Sequence, residues 1–255
     1  MRAESTHKRK TILGFYPSSL LFAVLLLALS HSAINCKKMS KSEMTENIIS
    51  AQRTREEISA SDFFNAEWER AAPVPLVRYW SGKPAPPERQ AEARLIWSEK
   101  ALCVRFICSQ SEPLVMSDAP QTAEKTIGLW ERDVCEIFIA PESNKTEHYF
   151  EFEAAPTGEW IDLEIKWKPE ARETNWQYRS GMTAAGRIEE GRVFIVIRVP
   201  WEAFGKRPQA GELWRVNLFR CVGTGAERGY LAWQPTRTPQ PNFHVPQAFG
   251  WLRLD

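Results

Sequence analysis

Residues that commonly assemble reactive centres are scarce in this chain of 255 residues. There are four histidines and five cysteines, and nowhere do they take the Cys-x-x-Cys or Cys/His spacing that closes a zinc site. A Gly-x-Ser-x-Gly elbow, a Gly-rich phosphate loop and a His-x-x-x-His pair are all missing, which removes the chemistries those motifs serve. Outside the first 41 residues only His148 and His244 remain, and a lone histidine is more often a surface or packing residue than a catalytic one. The chain also has no internal repeat, low-complexity tract or linker-like stretch. The Pro-rich segment Lys83 to Pro87 is too short to divide domains and reads as a loop.

Long apolar runs are equally rare. The one from Leu20 to Leu29 follows Arg2, Lys8, Arg9 and Lys10 and precedes small residues at Ser30 to Ala33. That order and length predict a secretory signal peptide over residues 1–35, too short to span a bilayer. Lipid attachment at Cys36 is the lesser alternative, because Asn35 is larger than the residue such processing sites carry. A secreted or periplasmic bacterial protein is expected, with no membrane attachment after cleavage. The chain has 33 Lys and Arg against 32 Asp and Glu; residues 1–41 hold seven and one of these, leaving 26 against 31, a net charge of −5. A mildly acidic domain is a poor electrostatic match for nucleic acid, which is not expected as a partner.

What is abundant is strand periodicity. Leu102, Val104, Phe106 and Cys108 alternate with Cys103, Arg105 and Ile107, and Val193 to Val199 repeat the pattern. Further strands are expected at 93–97, 134–140, 148–155, 160–166, 176–183, 213–222, 229–233 and 249–254. Residues 43–57 suit either an amphipathic helix or an opening strand. Turn signals at Pro156-Thr157-Gly158 and Glu190-Gly191 separate short strands, so one antiparallel β-sandwich domain over residues 46–255 is the expected fold. Cys103 and Cys108 are five apart in one strand and face opposite sides, so they do not pair with each other. With Cys135 and Cys221 they read as buried free thiols, one disulfide being the alternative.

Eleven tryptophans exceed what a core of this size requires. Trp97, Trp167, Trp214 and Trp251 sit in or beside apolar strand patterns and read as packing residues. Trp130, Trp160 and Trp233 adjoin loops rich in Gly, Pro or charge, where binding sites are commonly built. Trp130 opens the run Trp-Glu-Arg-Asp-Val-Cys-Glu-Ile-Phe-Ile-Ala (130–140), which places an aromatic ring, a guanidinium and carboxylates at the mouth of a strand. Such a group stacks on a polar ring and hydrogen-bonds its rim, as a sugar requires.

Together with Glu-Trp-Glu-Arg-Ala (67–71), Tyr-Phe-Glu-Phe-Glu (149–153), the run from Arg228 to Thr236 and the closing Phe-His-Val-Pro and Phe-Gly (243–246, 249–250), this segment resembles the carbohydrate-binding module family 9-like domains over residues 46 to 254. The resemblance implies a β-sandwich that clamps the end of a glycan between two tryptophans, with Trp130 as the first and Trp233 as the candidate second. It also implies an oligosaccharide or polysaccharide partner, and a role in polysaccharide recognition or breakdown. No cofactor is implied, although relatives hold structural calcium and no compact Asp-x-Asp loop is present to supply it. Arg132, Asn242, Arg220 and His244 are the candidate polar contacts. Ala60-Ser61-Asp62 departs from the Asp-Gly turn common near the family's N-terminus.

Two other functions are weighed. Glu151, Glu153, Asp162 and Glu164 alternate on two strands, so two of them could act as glycosidase acid and base; same-face carboxylates are, however, common on a solvated sheet. Haem-binding electron-transfer sandwiches need axial His or Met, for which Met116, Met182, His148 and His244 are the candidates. A non-catalytic binding protein is the expectation.

Overall fold

The structure, a computed structural model, describes residues 47–255. The signal peptide expected over residues 1–35 and Cys36 lie outside the described residues. In chain order the strands are β1 (Ile48–Arg53), β2 (Val74–Leu76), β3 (Ala91–Trp97), β4 (Ala101–Ser109), β5 (Val134–Ala140), β6 (His148–Ala154), β7 (Trp160–Trp167), β8 (Arg172–Asn175), β9 (Thr183–Glu189), β10 (Arg192–Pro200), β11 (Leu213–Val222), β12 (Gly229–Ala232) and β13 (Gly250–Leu254). Helical backbone among the described residues is confined to short 3₁₀ turns such as Trp201–Phe204, which follows Pro200 and ends at Gly205.

One sheet runs β8-β7-β6-β5-β11-β13-β1, with β12 also on β11, and the other runs β1-β3-β4-β10-β9, with β2 on β3. Strand β1 joins them, pairing through Ile48 to Ala51 with β13 and through Gln52 and Arg53 with β3. Both of these ladders are parallel, so the expected antiparallel sandwich is mixed at its seam. Neither pair is joined by a hairpin, since β13 is the last strand and residues 54–90 separate β3 from β1, so the direction of pairing is free.

Alternation sets the layers. Ile137, Ile139, Phe150, Phe152, Val216 and Leu218 of the first sheet share one core with Leu95, Val104, Phe106, Ile195 and Ile197 of the second. Each such fully buried side chain contributes about 1.5–3 kcal/mol. The opposite face of the first sheet is also apolar, with Phe138, Tyr149, Ile161, Leu163, Ile165 and Phe219. The outer face of the second sheet is covered by the segment around Trp68, whose indole donates to the Asp62 carbonyl at 2.7 Å. Cys108 lies in the inter-sheet core and Cys103 on the outer face of its sheet, as their spacing predicts. Cys103, Cys108, Cys135 and Cys221 are all buried and free.

Of the two readings of residues 43–57, the described part takes the strand, as β1 (Ile48–Arg53), while the strand expected at 176–183 does not form before Thr183, where β9 begins. Asn175 closes the turn in its place, accepting from the Gln177 amide through Oδ1 at 3.1 Å. Side-chain capture of this kind ends a strand by offering the backbone another partner.

Candidate functional site

A cavity of about 600 Å³ opens on the outer face of the first sheet. Glu136, Phe138, Glu151, Glu153, Leu163, Ile165 and Cys221 line it from the strands, and Trp130, Trp176, Arg228, Tyr230, Phe243 and His244 line it from the loops. It exists because β5 turns its even-numbered residues, and β6, β7 and β11 their odd-numbered ones, outward together. The loops then close over that face.

The rim is held by identifiable anchors. Gly128 turns the chain at φ +82°, a left-handed conformation that glycine adopts at little cost, and the 3₁₀ turn Leu129–Glu131 follows. Leu129 is buried beneath it and leaves Trp130 half-exposed. The Arg228 guanidinium then donates to the carbonyls of Trp130, Glu131 and Gly223 at 2.7–2.9 Å and of Arg132 at 2.5 Å. One side chain thus ties the Trp130 turn to the start of β12. The loop carrying Asn242 is pinned by Phe243, which stacks on Phe219 with ring centroids 4.0 Å apart.

Trp176, 43 % exposed, faces Trp130 with centroids 6.2 Å apart and planes at 46°. The sequence gives no hint of this partner, because it follows β8 in a segment that reads as a strand. Among the residues expected at a site, Trp130, Asn242 and His244 meet at this cavity. His244 Nδ1 lies 2.9 Å from the Tyr149 hydroxyl and its Nε2 3.9 Å from Glu151. Burial, with Arg172 nearby, lowers its pKa to about 3, so the ring is neutral.

Trp233 is not brought to Trp130. It lines a separate cavity with Asn47, Ile48 and Pro73, and packs on the inter-sheet core. A Cβ built on Gly250 would lie 2.4 Å from its ring and 2.8 Å from the Asn47 carbonyl, so Trp233 seals β13 against the sheet. Gly250→Ala is expected to destabilise the domain by about 1–2 kcal/mol through this overpacking, read by chemical denaturation. Arg220 also faces away, sharing the parity of Val216 and Leu218. It donates to the carbonyls of Arg89 and Gln90 and to the Gln110 side chain at 2.7–3.0 Å. Arg132 is paired with the buried Glu159 at 2.8 Å and does not line the cavity.

The floor departs most from expectation. Glu136, Glu151 and Glu153 are 1–3 % exposed, not solvated. Each offers an oxygen within 4.8 Å of the others, which among the described residues makes them the one cluster able to hold a metal ion. Apart from one another, neither oxygen of Glu153 nor Oε2 of Glu151 has a hydrogen-bond partner. Burial, then mutual repulsion, raises the pKa of Glu136 and Glu153 well above the carboxylate range, and burial raises that of Glu151. Asp162 and Glu164 lie on the opposite side of β7. Asp162 pairs with Lys125 at 2.5 Å, while Glu164 pairs with His148 and Lys166. Met182 is buried between the sheets and Met116 is exposed; neither they nor His148 line the cavity holding His244.

Residues 62–255 match the model of the carbohydrate family 9 binding domain-like family. The chain belongs to this family. No curated protein matches it, but solved structures do. A candidate carbohydrate-binding protein of Bacteroides uniformis ATCC 8492 is similar at 18 % identity and a TM-score of 0.66, over 82 % of this chain and 99 % of that one. A family 9 carbohydrate-binding module of Caldicellulosiruptor kristjanssonii in complex with cellotriose is similar at 12 % identity and a TM-score of 0.56, over 82 % and 93 %. The same organism's module with glucose gives 13 % and 0.55, over 82 % and 95 %. At these identities the likeness is one of fold. Among the described residues no helix is long and apolar enough to cross a membrane.

Proposed function

We propose that this protein binds an oligosaccharide or polysaccharide in the cavity on the first sheet, without cleaving it, and that it is exported through its N-terminal segment to do so. The observation that carries this reading is the pairing of two partly exposed indoles with buried carboxylates that have unsatisfied acceptors. Aromatic faces take the apolar face of a pyranose, and aimed acceptors take its hydroxyl groups. The glucose and cellotriose complexes of the Caldicellulosiruptor modules support a glycan ligand.

Sandwiching a sugar ring needs about 3.5–4 Å on each side. Trp130 and Trp176, at 6.2 Å and tilted, therefore act as a rim that the ligand parts or leans on. The carboxylates argue against hydrolysis. A glycosidase places its two carboxyl groups on either side of the scissile bond, whereas Glu136, Glu151 and Glu153 lie side by side on one floor, on the neighbouring strands β5 and β6.

Trp176→Ala tests the reading most cleanly, because an exposed indole contributes little to the core. Its stability is expected to stay within about 0.5 kcal/mol of the parent. Affinity for cellotriose should fall at least about ten-fold, or 1.4 kcal/mol, in calorimetric titration. Trp130→Ala should lose affinity similarly and some stability as well, since Trp130 also packs on the outer-face core. Unchanged affinity in both variants would remove the indoles from the site.

A further inference from the structure

The cavity floor gathers more carboxyl groups than a neutral sugar requires. One carboxylate suffices to accept from a pair of hydroxyl groups, yet three meet here within 4.8 Å, each at least 97 % buried. Neutral hydroxyl groups would satisfy the lone pairs and leave the repulsion among the carboxylates in place. Only a proton or a cation relieves it.

No Arg or Lys among the described residues makes an ion pair with the cluster, although Arg228 acts on Glu136 and Glu153, and Arg172 on Glu151, from a distance. Among the described groups lining the cavity, Arg228 spends its guanidinium on four main-chain carbonyls of the rim. Arg172 is exposed on β8, His244 is neutral, and the Cys221 thiol donates weakly to Glu136 at 3.5 Å. No ion pair joins Glu136, Glu151 or Glu153 to an Arg or Lys among the described residues; the nearest basic contact is His244 at 3.9 Å.

We propose that the cavity selects glycans bearing a free primary amine, and that Glu136, Glu151 and Glu153 jointly receive the ammonium group of an amino sugar. This inference rests on the glycan-binding reading above and narrows its ligand. An ammonium group carries three donors, and three acceptors placed tetrahedrally at about 2.8 Å stand about 4.6 Å apart. Oxygens of the three groups lie within 4.8 Å of one another, close enough for a single ammonium group to reach all three. The walls favour an organic cation over a bare ion. Trp130, Trp176, Phe138, Tyr230 and Phe243 surround some 600 Å³, room for a sugar ring whose amine reaches the floor, and aromatic faces attract cations.

Calorimetric titration of the purified protein near neutral pH and about 0.15 M salt, where diffuse attraction is screened, separates the alternatives. The probes are the β-1,4 trimer of glucosamine, its fully N-acetylated form, cellotriose and calcium chloride. The glucosamine trimer is expected to bind at least about ten-fold tighter than either neutral trimer. Glu153→Gln, its folding checked by thermal unfolding, should erase that preference. Equal binding of all three trimers would overturn the amine assignment and leave the glycan reading standing, whereas binding of none would overturn both. Calcium uptake lost in Glu153→Gln, without any amine preference, would make the floor a metal site and also overturn the proposal.

Discussion

Treating the purified protein with diamide under partly unfolding conditions is expected to yield, on refolding, a species two mass units lighter, joined through Cys108 and Cys135, and more stable by about 3–4 kcal/mol. The two thiols lie 3.4 Å apart, one on β4 and one on β5, so the bond would staple the two sheets across their shared core. Formation of the disulfide requires the sulfurs to close to about 2.05 Å. Two electrons and two protons pass from the thiols to diamide, which is reduced to its hydrazine, the protons moving directly or through solvent. In the folded protein the hydrogen bond from Cys135 lowers the Cys108 pKa against the opposing effect of burial, and the thiolate is the attacking species. Both groups are fully buried, so the native protein should react slowly. Cys135→Ala is the control and should show neither the mass change nor the gain in stability. An oxidised protein that melts at or below the temperature of the reduced form would show that the sheets are too rigidly spaced to accept the bond. If the protein is exported, folding in an oxidising compartment would drive the same closure.

The architecture was legible because the strands repeat at period two with few interruptions, and the limits expected for β5 and β11 coincide with those observed. The parallel seam at β1 was not, since alternation sets a strand's faces but not its neighbours. At the site, Trp130 could be singled out because its ring stands between charges and a strand. Trp176 could not, because nothing local separates a rim tryptophan from one on a strand. The error over Trp233 has the same origin: a loop-flanking indole can fold inward when a glycine, here Gly250, leaves it space. Arg220 was decidable, for it shares parity with Val216 and Leu218 and so had to face the inter-sheet layer. The carboxylates were the harder lesson. Alternation with Phe150 and Phe152 puts Glu151 and Glu153 on the other face, and that face reads as solvated only until Ile161, Leu163 and Ile165 of the next strand are set beside it.

Glu153→Gln is expected to stabilise the unliganded protein by on the order of 2–4 kcal/mol near neutral pH, because it replaces a buried group that lacks a donor from outside its cluster with one that can donate to its neighbours. The pH dependence gives the sharper test. Glu136, Glu151 and Glu153 have folded pKa values raised above their unfolded values, so the folded state holds protons that the unfolded chain has released. Their contribution to stability is then fully present below the unfolded carboxylate pKa of about 4.3 and is lost as pH rises through the raised folded values. Glu164, lowered to about 2, works in the opposite sense and loses its contribution as pH falls, so the parent's curve alone is a mixture. The difference between parent and Glu153→Gln isolates the cluster. It should be small near pH 4 and widen steadily toward pH 8, with the variant the more stable. A difference that is flat with pH, or a variant less stable at pH 7, would mean that the carboxylates are satisfied in the free protein and hold no strain for a ligand to relieve. A widening difference would mean that the fold bears an unfavourable floor without its ligand, as sites built for binding rather than stability commonly do.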